Sequence, residues 1–213
     1  MKITADRFVE LWLELSKSHD LKNKYQLTNK TWTESLIGKA TCRNEQSPFG
    51  IFIKEQTNKN FVCRNEDGDV DMSLSGYGAF EVFPVGKKNV QEMISLNDYP
   101  TNYNILIEHE NDIKLCYQEM IKLTYYKSSL KVLVTYNYDE NAENQWQKTE
   151  ANAVANFSSI LQQTNSEMPE NKDTEYMFII GQMKKNLPVL KWTFVIYGIH
   201  GKEISRRMEL ETL

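Results

Sequence analysis

Glu108, His109 and Glu110 stand together in the stretch NILIEHENDIKL, residues 104–115. Side chains alternate along a strand, so Leu106, Glu108 and Glu110 share one face, and Ile105, Ile107 and His109 share the other. Two carboxylates at that spacing have backbones roughly 6–7 Å apart, from a rise of about 3.3 Å per residue. Both can reach one divalent ion or a pair of ions. Without a cation or a basic partner they repel, and the inner member's pKa rises. Oxygen-only ligands suit Mg²⁺ or Mn²⁺, and Mg²⁺ takes few protein carboxylates and completes its shell with water and phosphate oxygens. Asn111 or Asp112 is placed to cap a following helix, whose first amides favour an anion nearby. The plain alternative is a solvated strand terminus. His109 faces away from the two acids, so the expectation for it is packing rather than base chemistry.

Elements must be found that hold these residues. YNILIE and LKVLVTY are nearly continuous apolar runs, the pattern of strands buried on both faces. Between them NDIKLCYQEMIKLTYY has helical spacing, with Ile113, Cys116, Tyr117, Met120 and Leu123 on one stripe. NQWQKTEANAVANFSSILQQ is a second helix of this half, and EYMFIIGQ and LKWTFVIYG are the last two strands expected. The linker MKKNLPV between those two is too long for a two-residue hairpin turn.

The N-terminus reads as a helix with Phe8, Leu11, Trp12 and Leu15 at intervals of three and four, and another helix is expected near Thr33. GIFI and NFVC read as short strands, the turn NEDGD leads into VDMSLSG, and GYGAFEVFPVG is a further strand-like run. A short helix is expected in NVQEMISLN. The sum is one domain over 1–213, with an N-terminal helical segment 1–45 and a core over 46–213. Its class is α/β, a central mixed β-sheet flanked by helices.

Composition fits such a domain: 213 residues, 40% hydrophobic and 25% charged, enough for a core. A net charge of -4 announces no global attraction to nucleic acid or an anionic membrane. The acidity is concentrated: residues 61–110 carry nine acidic against three basic side chains. Asp6, Arg7, Glu10 and Glu14 interrupt the opening segment, so it lacks an export signal's apolar run, and no stretch suits a membrane span. Cys42, Cys63 and Cys116 show no zinc or disulfide spacing and are expected to be small buried side chains in a cytoplasmic protein. Glycine-rich phosphate loops and a Gly-x-Ser-x-Gly elbow are absent, which argues against nucleotide-dependent kinases, dinucleotide enzymes and serine hydrolases. His19, His109 and His200 lack zinc-ligand spacing. Trp12, Trp32, Trp146 and Trp192 are expected in the core rather than on a base-stacking surface.

Strand, Glu-x-Glu, helix and apolar strand together resemble the core of the PD-(D/E)XK nuclease superfamily, over residues 69 to 137. The resemblance implies a restriction-endonuclease-like fold and Mg²⁺-dependent (or Mn²⁺-dependent) hydrolysis of DNA phosphodiesters by in-line attack of water. It puts Glu108 at the metal-ligand position and Glu110 at the third position, where a subset of restriction enzymes carries Glu instead of Lys. The first acid comes from upstream: Asp71, with Asp69 and Glu81 as alternatives. Val70 stands where the family motif has Pro. With no Lys at 110, Lys122 or Lys131 is the candidate for a catalytic positive charge; the plain alternative for either is an ordinary solvent-facing lysine. Glu119 is a further carboxylate, or else a surface partner of Lys122. Contacts to DNA would fall to the lysines from Lys17 to Lys39, and to Lys184, Lys185, Arg206 and Arg207. A homodimer would suit a palindromic cutter. The competing expectations are a catalytically inactive nuclease fold that binds a protein or nucleic acid, and an unrelated α/β domain whose Glu-His-Glu is a solvated edge.

Overall fold

The structure is a computed structural model that describes residues 3–16, 48–57, 62–67, 70–82, 94–138, 143–167, 172–183 and 189–210. In chain order the elements are α1 (Ala5–Ser16), α2 (Pro48–Thr57), β1 (Val62–Asp67), β2 (Val70–Val82), β3 (Ile94–Glu110) and α3 (Tyr117–Thr124). They are followed by β4 (Ser128–Tyr138), α4 (Glu143–Glu167), β5 (Glu175–Met183), β6 (Val189–Tyr197) and β7 (Glu203–Leu210). The strands form one seven-stranded sheet in sequence order, β1 to β7. β1, β2 and β3 are antiparallel neighbours, β3, β4 and β5 are parallel, and β6 and β7 return antiparallel. The two parallel joints are the two crossovers through a helix, α3 and α4, as parallel pairing demands.

The α/β class and the mixed sheet flanked by helices are therefore as the apolar runs indicate. Ile105, Ile107, Val132, Val134, Ile179 and Phe194 pack on one face against Phe8, Leu11 and Trp12 of α1. Leu106, Leu133, Phe178 and Val195 pack on the other against Met120 and Leu123 of α3 and Phe157 and Leu161 of α4. Strands covered on both faces cannot alternate polar and apolar residues, which is why these runs read continuously. The Thr4 hydroxyl caps α1 by accepting from the Arg7 amide at 3.3 Å, and Glu175 of β5 accepts from the Ala5 amide at 3.2 Å. One helix end is thus fastened to the sheet.

Five expectations need correction. GIFI lies in α2, a helix. A four-residue apolar run has no period of its own, and Pro48 at the first helical position presets the backbone angle. VDMSLSG and GYGAFEV are one strand, β2, whose register shifts between Leu74/Ser75, Gly76/Tyr77 and Gly78/Phe80 absorb the glycines that looked like breaks. The segment from Ile94 belongs to β3, not to a helix, and Pro100 fits within it because β4 joins β3 only from Tyr103 onward. α3 is shorter than its apolar stripe, since residues 113–116 form turns. β7 was not expected at all: Lys202 to Met208 are exposed along it, so this edge strand has no buried face to reveal it. The helix expected near Thr33, Trp32, Cys42, and the lysines of 17–39 and 184–185 lie outside the described residues.

Candidate functional site

β3 delivers Glu108 to the face covered by α3 and α4. It follows Leu106 on that face, and parallel pairing sets it beside Leu133 of β4. Its carboxylate has 0% exposure. An isolated ionised carboxylate in such a place would take up a proton. The fold supplies a cation instead: the Lys122 ammonium, one α3 turn below the chain reversal, lies 3.0 Å from the Glu108 Oε2. The same ammonium lies 2.6 Å from Glu119 Oε2, one helical turn back along α3. Burial alone would lower the pKa of Lys122, but its hydrogen bonds to Glu119 and Glu108 and the charge of both outweigh that and raise it. The ammonium is protonated at any physiological pH. The pairing of Glu119 with Lys122 at i,i+3 is therefore present, and the shared ammonium links Glu119 to Glu108.

Glu108 is no solvated strand end, so the edge reading fails for it. Glu110 is half-buried and sits two residues on, where β3 ends. Its Oε1 accepts the Asp112 amide at 3.0 Å, and Asp112 Oδ1 accepts the Lys114 amide at 2.9 Å. These two acids therefore cap the turn after β3 and not α3 itself, whose N-cap is Cys116 without a side-chain cap. The Ile113 amide is held by the Tyr136 carbonyl at the end of β4, 3.1 Å away, and this delays the helix. A cleft of about 310 Å³ opens between α3 and α4 beside this turn, with Cys116, Met120, Asn152 and Asn156 among its walls. Burial, then the charges of Glu110 and Asp112, push the Cys116 thiol up to about 12, so it is an inert wall residue.

Asp71 lies in β2, and its backbone register is informative. Met72 pairs with Ile107 in the antiparallel ladder, so the next residues outward, Asp71 and Glu108, stand opposite each other. The Asp71 side chain lies outside the described residues, as does Asp69 altogether. Glu81 pairs with Ser95 at the far end of the same ladder, roughly 40 Å along β3 from Glu108 at the usual rise, and is no rival to Asp71.

Lys131 is not a solvent-facing lysine. It is fully buried on β4, its ammonium 3.2 Å from the Tyr176 hydroxyl and 4.9 Å from that ring's centroid. Register sets it beside Leu106, one step before Glu108 on the same face. His109 is buried on the α1 face, with Nε2 2.9 Å from the Tyr136 hydroxyl and the two rings edge to face. Burial lowers its pKa to about 4, so it packs as neutral imidazole. Arg206 pairs with both oxygens of Glu203, and Arg207 with Glu209, all along β7. Neither guanidinium is held ready for a phosphate by the fold.

The donors gathered here are carboxylate oxygens, which suit a hard divalent cation. A carboxylate with no exposure, balanced by positive charge from a neighbouring helix, is itself a position where the fold accommodates a cation. Among the described residues no cluster of three or more His, Cys, Asp or Glu side chains holds a metal-binding arrangement; the Asp71 side chain is outside that set. No helix among the described residues is long and apolar enough to cross a membrane. No protein-family model matches the chain, and no curated protein matches it.

Proposed function

We propose that this chain is a Mg²⁺- or Mn²⁺-dependent DNA phosphodiester hydrolase of restriction-endonuclease-like fold, acting in the cytoplasm with Asp71, Glu108 and Glu110 as its acidic cluster. The observation that carries the reading is Glu108, a carboxylate of 0% exposure at the end of a core strand, ion-paired at 3.0 Å. Burying such a charge costs folding free energy, and groups of that kind gather at functional sites. Support comes also from the strand order. Three antiparallel strands lead through a helix into a parallel fourth, with Asp71 on the second and the Glu-x-Glu pair on the third. Asp71 and Glu108 would hold the cation. When bound, it supplies positive charge to the phosphoryl oxygens and lowers the pKa of the attacking water. Glu110, closest to the end of the strand, receives that water's proton. The Lys122 ammonium stands by to offset charge building in the transition state.

A second reading has its own observation. Glu108 is already neutralised by Lys122, and Glu110 is already bonded to the Asp112 amide. Acids engaged internally in this way suit a catalytically inactive nuclease fold that serves as a binding module for nucleic acid or protein. One experiment separates the two: calorimetric titration with Mg²⁺ and Mn²⁺ of the wild-type chain and Glu108→Ala, alongside plasmid nicking. The hydrolase reading expects binding and nicking in the wild type and neither in the folded variant. Binding without nicking favours the module. A folded wild-type chain that binds neither ion overturns the metal-dependent reading.

A further inference from the structure

The Lys122 ammonium has two carboxylates within ion-pair distance, and they belong to different elements. Glu108, on β3, is fully buried at 3.0 Å. Glu119, on the same helix as Lys122, is closer, at 2.6 Å, and its side chain keeps 23% of its exposure. The lysine itself retains 29%, so its head lies at the boundary between the core and solvent. An arrangement meant only to neutralise Glu108 needs one cation and no second acid. The second acid gives the ammonium somewhere to go. It also leaves the local charge of the trio at one negative unit.

From this we infer that Lys122 is an internal stand-in cation for Glu108, and that Glu119 is a positioning residue that receives the ammonium when a divalent ion takes Glu108. The inference rests on the proposed metal site and adds to it the means by which the ion-free protein balances the charge of a buried carboxylate. In the ion-free protein Lys122 bridges the two acids. A divalent ion arriving at Glu108 competes with that ammonium directly, because both occupy the space beside the same carboxylate. Lys122 then needs no long excursion, since its pairing with Glu119 is short and already made. The helix carries both ends of that pairing, so α3 can keep its place against the sheet through the exchange. No bond is made or broken beyond ion pairs, and no proton changes hands.

Two substitutions pull in opposite directions, which is what makes the idea testable. Lys122→Met removes the competing cation, and Mn²⁺ binding measured by calorimetry at pH 8, where a proton competes least for Glu108, should tighten about tenfold or more, because a like charge a few ångströms away is lost. The ion-free variant should melt lower than wild type, and saturating Mn²⁺ should raise its melting temperature by more than it raises that of wild type. Glu119→Gln leaves Lys122 committed to Glu108 alone, so Mn²⁺ should bind several-fold more weakly, with the ion-free melting temperature little changed. Glu119 keeps part of its exposure, and glutamine has the same shape, so this variant keeps the test alive where Lys122→Met does not fold. Unchanged or weaker binding in folded Lys122→Met, or unchanged or tighter binding in Glu119→Gln, would overturn the inference and leave the metal site standing. No Mn²⁺ binding by the wild-type chain would remove the metal site and, with it, the inference.

Discussion

At the scale of single residues, β3 turns one side chain after another into opposite layers, and the two layers treat charge differently. Glu108 enters the α3 and α4 layer and is met there by an ammonium. His109 enters the α1 layer, where Tyr136 gives it a hydrogen bond, and it stays neutral with a pKa lowered from 6.5 to about 4 by burial. The sign of the consequence follows from linkage. Between pH 6.5 and 4 the unfolded chain binds a proton at His109 that the folded chain does not, so stability falls as the pH falls through that window. From pH 7.5 to 5 the loss is about 2 kcal/mol, at 1.4 kcal/mol per pH unit below the unfolded value. Urea unfolding of wild type and His109→Gln across that range should show it: the wild-type curve drops more steeply by this amount. Parallel curves would mean that the ring is accessible to a proton in the folded state. The residue-scale reading of the sequence was good where alternation alone decided, as for which face His109 takes. It failed for Lys131, because nothing along the chain distinguishes a lysine under a helix from one in water; the Tyr176 ring and hydroxyl that receive it come from β5, 45 positions on.

At the scale of elements, α3, α4 and the β6–β7 turn decide how tightly the site's layer is held. Gly201 in that turn has φ +67°, a left-handed backbone that glycine adopts freely. It also lies directly under α4: an added Cβ would collide with the Ser158 carbonyl, while the Ser158 hydroxyl donates to the Gly201 carbonyl at 2.6 Å. Asn165, further along α4, donates its side-chain amide to the Ile199 carbonyl in the same turn. Gly201→Ala should therefore cost about 2 kcal/mol or more, from the backbone conformation and the collision together. Chemical denaturation would measure it, and a loss below about 0.5 kcal/mol would mean that α4 yields easily there. Element types were legible wherever a run was long and periodic, as in α1, α4 and β4. They were not legible where a run was short, as in α2, or where the burying partner was missing, as in β7. α3 was legible as a helix but not in its start, since the Tyr136 carbonyl and the Glu110 carboxylate take the preceding amides.

At the scale of the molecule, the sheet is the shared wall of two cores, and α1 seals the one away from the carboxylate site. Trp12 meets Trp192 of β6 edge to face with ring centroids 5.2 Å apart, and Phe8 stacks beside it. Both tryptophans are at or below 1% exposure. Trp12→Ala should destabilise the fold by about 3–5 kcal/mol through lost burial and the cavity left behind. Thermal unfolding would register a large drop, and a drop near zero would show α1 to be dispensable to that core. What the sequence determined by itself was the class of the molecule: long apolar runs must be buried on both faces, helices must lie between parallel strands, and Glu108 and Glu110 must share one face at the end of β3. Those statements need only local periodicity and chain connectivity. Only the tertiary structure decided which upstream acid lies opposite Glu108, since antiparallel register is a property of two strands and the bulges of β2 shift it. It also decided the counter-ion. Lys122 and Glu108 are ordinary charged residues until the packing of α3 on β3 removes the water from between them.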